Sequence, residues 1–77
     1  MPEMLHSARD LGAVIRSRRK KLGYTQEEVA EFNGCSPRFI SELERGVAAA
    51  KIESVLRVMN SLGLDLLAQE RGDSTWR

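Results

Sequence analysis

The run Leu22-Gly23-Tyr24-Thr25-Gln26-Glu27-Glu28-Val29-Ala30, continuing through Asn33-Gly34-Cys35-Ser36-Pro37-Arg38, decides the fold of this chain. Thr25 and Glu28 stand at the Ser/Thr-x-x-Glu spacing of a capping box, in which each side chain satisfies a backbone N–H of the other residue. Tyr24 and Val29 flank them at the positions of a hydrophobic staple. The spacing predicts a helix from Gln26 to Asn33, closed by Gly34, a residue that takes the left-handed conformation at little cost. Ser36 then caps a second helix from Pro37 to Arg45, with proline in the first turn, where its missing N–H is harmless. Phe39, Ile40 and Leu43 are its apolar residues. Helix, tight glycine turn and capped helix make a helix-turn-helix arrangement, although purely structural bundles contain such pairs too.

Working outward, a first helix is predicted from Ala8 to Leu22, capped by Ser7 and Asp10, with Leu11, Val14, Ile15, Arg18 and Leu22 on one face. A fourth runs from Ile52 to Leu62 with the apolar stripe Ile52, Val55, Leu56, Met59 and Leu62, and Val47 to Lys51 offer it no good cap. Gly23, Gly34, Gly46 and Gly63 each follow a helical segment. Past Gly63 the period changes: Leu64, Leu66 and Ala68 alternate with Asp65, Leu67 and Gln69, which predicts a strand over 64–70. A lone strand leaves its backbone groups unsatisfied, so its expected partner is the same strand of a second copy across a two-fold axis. The expected organisation is an N-terminal arm (1–7), an all-α helix-turn-helix domain (8–63), a dimerisation strand (64–70) and a flexible tail (71–77).

Composition sets the limits. With 77 residues the chain holds one small domain, and its single cysteine, Cys35, builds neither a disulfide framework nor a zinc site. Chains below roughly 70–80 residues usually need a staple or a partner, which points to a homodimer. No apolar run approaches the roughly 20 residues of a membrane span, and no secretory signal fits the N-terminus, so a cytoplasmic protein is expected. No Ser/His/Asp, Cys/His or metal-spaced set exists, so neither an enzyme nor a cofactor is expected. Twelve Lys and Arg against eleven Asp and Glu leave a net charge of only +1, but the distribution is uneven. Arg9, Arg16, Arg18, Arg19, Lys20 and Lys21, opposed by Asp10 alone, give +5 within residues 9–21 and leave −4 elsewhere. A basic end of this kind supplies the phosphate attraction of a nucleic-acid binder.

The order of these segments resembles the Xre/Cro-type helix-turn-helix family, which resembles lambda repressor in fold. Leu22 to Ala30 looks like the start of its motif, Ser41-Glu42-Leu43-Glu44-Arg45-Gly46 like the end of its recognition helix, and Ser54 to Leu64 like its next helix. The expected strand and short tail in place of a fifth helix are similar to HipB-like antitoxins, small helix-turn-helix dimers that repress their own operon and bind a toxin, often a HipA-type kinase. The resemblance implies a sequence-specific repressor of palindromic double-stranded DNA, with a toxin as partner; the alternative is a stand-alone Xre-type or prophage regulator.

A recognition helix presents its N-terminal side chains to base edges in the major groove, here Ser36, Pro37, Arg38, Ser41 and Glu42. Arg38 is the sharpest candidate, because arginine donates two hydrogen bonds to guanine; otherwise it is a solvated surface charge. Glu42 either accepts from a cytosine amino group or has a surface or intrahelical role. Arg16, Arg18 and Arg45 are candidate phosphate contacts, and the resemblance adds Gln26 to them. It also implies that Arg19 and Glu44 form a buried ion pair. Val58, Met59, Leu64, Leu66, Leu67 and Ala68 are the expected dimer contacts. Cys35 reads as a packed residue. Trp76 is either a fold-back contact on the dimer or an anchor for a protein partner.

Overall fold

The computed structural model describes residues 4–47 and 49–70; Trp76 and the rest of the expected tail lie outside the described residues. Four helices follow in order: α1 (Ala8–Leu22), α2 (Gln26–Asn33), α3 (Pro37–Arg45) and α4 (Ile52–Ser61). Local hydrogen bonds explain their starts. The α2 capping box is complete, with Glu28 N–H donating to Thr25 Oγ1 at 3.0 Å and Thr25 N–H to Glu28 Oε1 at 2.8 Å. Ser36 Oγ accepts from Phe39 N–H at 3.1 Å, and Ser7 Oγ from Asp10 N–H at 3.1 Å. The return bond at α1 is shifted by one residue: Asp10 Oδ2 accepts from His6 N–H at 3.0 Å rather than from Ser7. At α4 no side chain caps the start, as the Val47–Lys51 sequence predicts.

All four helices stop by one device. The residue after the terminal glycine donates its N–H back across the last turn: Tyr24 to Arg19, Cys35 to Ala30, Val47 to Glu42 and Leu64 to Met59, at 2.9–3.1 Å. These 6→1 bonds define the Schellman motif, which requires a left-handed residue at the turn. At Gly46 the requirement is double. Its φ is +74°, and an added Cβ would stand 2.6 Å from Arg9 Cα, so the α3 turn sits directly against the start of α1.

The core is formed by Ile15, Val29, Ala30, Ile40, Leu43, Val55, Val58, Met59 and Leu62, with Leu11, Tyr24, Phe39 and Leu64 packed around it. Full burial of one such aliphatic side chain stabilises the fold by roughly 1.5–3 kcal/mol. Helix α3 is central: α1 packs on it from one side and α2 from the other, and α2 also meets α4. Gly12 allows the first contact, because a Cβ there would lie 2.5 Å from the Glu44 carbonyl oxygen. The turn after α2 is tied to α4 as well: Asn33 Nδ2 donates to Val29 O at 2.8 Å and to Ser61 Oγ at 3.0 Å.

Four expectations differ from what the structure shows. Residues 64–70 form no strand within this chain: a strand requires a ladder partner, and every other described element is a helix or a turn. The α4 stripe is rotated, so that Val58 replaces Ile52 and Leu56, which are 60% and 39% exposed. Val58 and Met59 are 1% and 3% exposed within this chain's own core, so neither offers a surface to a second subunit. Leu22, placed on the apolar face of α1, is also exposed, one residue before the glycine turn.

Beneath this packing lies one buried ion pair. Arg19 Nε donates to Glu44 Oε2 at 2.6 Å and Arg19 Nη2 to Glu44 Oε1 at 3.1 Å, joining α1 to α3. Removing one partner leaves the other charge buried and uncompensated, which costs about 3–5 kcal/mol. Glu44→Ala is therefore expected to lower the melting temperature by on the order of 15 °C, given roughly 4–8 °C per kcal/mol in a domain of this size. A thermal melt followed by circular dichroism checks this, and a shift of only a few degrees would refute the assignment.

Candidate nucleic-acid interface

The N-terminal end of α3 lies open to solvent. Ser36, Pro37 and Arg38 are exposed there, while Ser41 and Glu42 are half-buried one turn on. Ser36 Oγ is occupied as an acceptor by the cap, but its hydroxyl proton remains available to donate. Pro37 presents an apolar ring and no N–H. The Arg38 side chain is 86% exposed and donates through Nε to Glu42 Oε2 at 3.1 Å. This end of α3 therefore carries a hydroxyl, an apolar ring and a guanidinium side by side, a set able to address base edges.

A cationic recess lies beside α3's other end. Arg9, Ala13, Arg16, Ser17 and Lys20 of α1 line it, together with Glu44, Arg45, Gly46 and Val47. Four cations thus converge where α1 crosses the end of α3. Glu44 does not cancel them, because its carboxylate is paired with Arg19. Such a recess suits an anionic polymer backbone.

The expected phosphate contacts separate in the structure. Arg16 and Arg45 are exposed and share the recess, and Arg45 Nε also reaches its own helix at Ser41 O, 3.4 Å away. Arg18 is a correction: its Nε donates to Leu62 O at 2.8 Å, and the half-buried side chain satisfies a carbonyl at the end of α4 instead of facing outward. The signal was present in the helical spacing, since Arg18 falls on the apolar face of α1. Gln26 Nε2 donates to Glu44 Oε1 at 3.1 Å, so this amide is held to α3 and keeps one N–H for another partner.

Arg9 and Lys20, counted in the basic run but not singled out as phosphate contacts, also line the recess. Their signal is the stripe Arg9, Ala13, Arg16, Ser17 and Lys20, which repeats at helical spacing along α1. Cys35 is half-buried, and burial pushes its thiol above the ordinary value, with the Arg57 guanidinium pulling it partly back. It therefore stays protonated and unreactive near neutral pH. Among the described residues no group of His, Cys, Asp or Glu is placed to hold a metal ion, and no helix is long and apolar enough to cross a membrane.

Comparison with known proteins agrees with this geometry. The helix-turn-helix family model HTH_3 matches residues 15–68. A curated relative from Sinorhizobium fredii (strain NBRC 101917 / NGR234), the uncharacterized HTH-type transcriptional regulator y4mF, is 39% identical over 70 residues, which span 88% of this chain and 92% of the relative. Among solved structures, HipB in a complex with an O2 20mer superposes with a TM-score of 0.81 at 21% identity, over 91% of this chain and 97% of HipB. HipB in a HipA–HipB–O2–O3 complex gives 0.81 at 22% identity, over 90% and 97%. The clp gene regulator ClgR from C. glutamicum gives 0.70 at 37% identity, over 80% of each chain. A family match across most of the chain and close relatives that are regulators lead to one conclusion: this chain belongs to the HTH_3 helix-turn-helix family, as a transcriptional regulator of the Xre type.

Proposed function

We propose that the chain is a dimeric, sequence-specific DNA-binding repressor that regulates its own operon as the antitoxin of a type II toxin–antitoxin pair, with a HipA-like kinase as toxin. The observation that carries the DNA reading is the pairing of an exposed recognition-helix start, Ser36 to Arg38, with the recess of Arg9, Arg16, Lys20 and Arg45. One reads bases and the other holds phosphates, the two components of operator binding. In this reading the N–H groups at the start of α2 and the free N–H of Gln26 join the phosphate contacts. The antitoxin reading is supported by the match to HipB over nearly the whole of both chains, including in an assembly with HipA. A second reading, a stand-alone Xre-type regulator, is favoured by identity: y4mF and ClgR are 39% and 37% identical to this chain, whereas HipB is 21–22%.

For the dimer we retain pairing of the 64–70 segments about a two-fold axis. Within this chain the backbone N–H groups after Leu64 find no partner among the described residues, and Leu66, Leu67 and Ala68 are exposed. Leu64 has a different role, closing the end of α4 against the core. The exposed Ile52 and Leu56 replace Val58 and Met59 as the apolar contribution of α4. Two recognition helices would then meet successive major grooves about 34 Å apart.

Binding to a selected palindromic duplex is expected to weaken steeply with salt. Arg16→Ala and Arg45→Ala should each flatten the plot of log K against log salt by about one unit, while leaving base preference intact. A salt-independent affinity, or a lost base preference, would contradict the phosphate role. Leu66→Lys is expected to give monomers in analytical ultracentrifugation and weak operator binding; a fully dimeric variant would refute pairing through this segment. A pull-down of the tagged chain from its native cell, read by mass spectrometry, separates the two functional readings. Stoichiometric recovery of a kinase-like protein supports the antitoxin, and recovery of the chain with palindromic DNA alone supports the stand-alone regulator.

A further inference from the structure

We infer that Glu42 is a positioning residue for Arg38: it holds the guanidinium so that its Nη1/Nη2 end faces guanine, and it reads no base of its own. The inference rests on the DNA-binding reading above. An arginine side chain is long and rich in rotamers, and an exposed one loses much of that freedom on docking into a groove. Arg38 is largely exposed, yet it is tethered through its Nε to the carboxylate one turn further along α3. Of the two side chains Glu42 is the better fixed, with 32% of its side chain exposed against 86% for Arg38.

The chemistry of the tether matters. Guanidinium has two bidentate edges, one using Nε and one using the two terminal nitrogens. With Nε occupied by Glu42 Oε2, the Nη1/Nη2 end is the free edge and makes no hydrogen bond among the described residues. That end matches the O6 and N7 acceptors of guanine. Adenine offers a donor in place of one of them and is rejected. The tether therefore selects the edge, limits the rotamers and favours guanine, while the negative charge of Glu42 opposes phosphate at every sequence alike. Specificity rises and non-specific affinity falls, from the same carboxylate.

The test begins with the full-length protein and a pool of randomised duplexes, from which the wild-type chain selects its preferred site. Affinities are then measured against every single base-pair change in that site. Arg38→Ala locates the base pair read by Arg38, with an expected loss of roughly 5- to 150-fold in preference for guanine. Glu42→Ala is expected to relax the same base pair by about twofold, the worth of an exposed i,i+4 pair, and by no more than Arg38→Ala does. It should at the same time bind random duplex more tightly. Glu42→Gln keeps an acceptor for Nε and should retain most of the preference, which a purely electrostatic role would not allow. Arg38→Ala/Glu42→Ala should be no less selective than Arg38→Ala alone.

Relaxation by Glu42→Ala at a different base pair, additive with Arg38→Ala, would mean that Glu42 reads its own base and would overturn the inference. Unchanged preference with Glu42→Ala would overturn it too. A wild-type chain that selects no sequence would remove the DNA reading itself, and this inference with it. Melting temperatures within a few degrees of wild type confirm that each variant is folded, as expected for an exposed pair.

Discussion

The structure depends on the buried contact between Arg19 and Glu44. The guanidinium occupies both carboxylate oxygens and also donates through Nη1 to Tyr24 O at 2.8 Å, while the same carboxylate accepts from Gln26. One ion pair therefore joins the end of α1, the turn after it, the start of α2 and the end of α3. Burying two charges carries a desolvation cost that their attraction offsets only with good geometry and full hydrogen bonding. Here the geometry is bidentate and the carboxylate has a third donor. The return is orientation: α3 is held against α1 at an angle that projects its first turn into solvent.

Two backbone approaches make the contact possible. Gly12 lets α1 lie against the Leu43 and Glu44 carbonyls, and Gly46 lets the end of α3 turn beneath the start of α1. The same crossing creates the cationic recess, since α1 residues that face neither core nor Glu44 emerge beside Arg45. Fold and interface thus share one helix crossing. With only nine buried core hydrophobics among the described residues, little apolar area is available to fix that angle by packing alone.

How much of this the sequence discloses depends on the range of each interaction. Helix boundaries are set within a few residues of chain, by Thr25 with Glu28, by Ser36 with Pro37 and by the glycine turns, and the first three helices were legible to the residue. The charges were harder. Arg16, Arg18 and Lys20 look equivalent in a basic run, yet one faces the recess, one caps α4 and one returns to the recess, because their rotation about α1 differs. Rotation was legible for Arg18 and was outweighed by its charge. At α4, Val58 and Leu56 are both apolar and two residues apart, and tertiary packing rather than composition decides which is buried. The 64–70 segment alternates as a strand does, but alternation describes a pairing that one chain cannot supply.

Two arginine–glutamate pairs of the same chemistry sit at opposite ends of α3, and their surroundings divide their roles. Arg19–Glu44, out of water and multiply bonded, fixes backbone to backbone and contributes little to recognition directly. Arg38–Glu42, in water and singly bonded, contributes little to stability, as exposed helix pairs are worth only about 0.3–0.5 kcal/mol. It biases a rotamer instead, and a bias of that size matters only where a side chain must arrive at a base in one orientation. The first pair sets where α3 points. The second sets what its first turn presents, and neither is effective without the other, since a well-oriented guanidinium on a loosely held helix would still sample the groove at random.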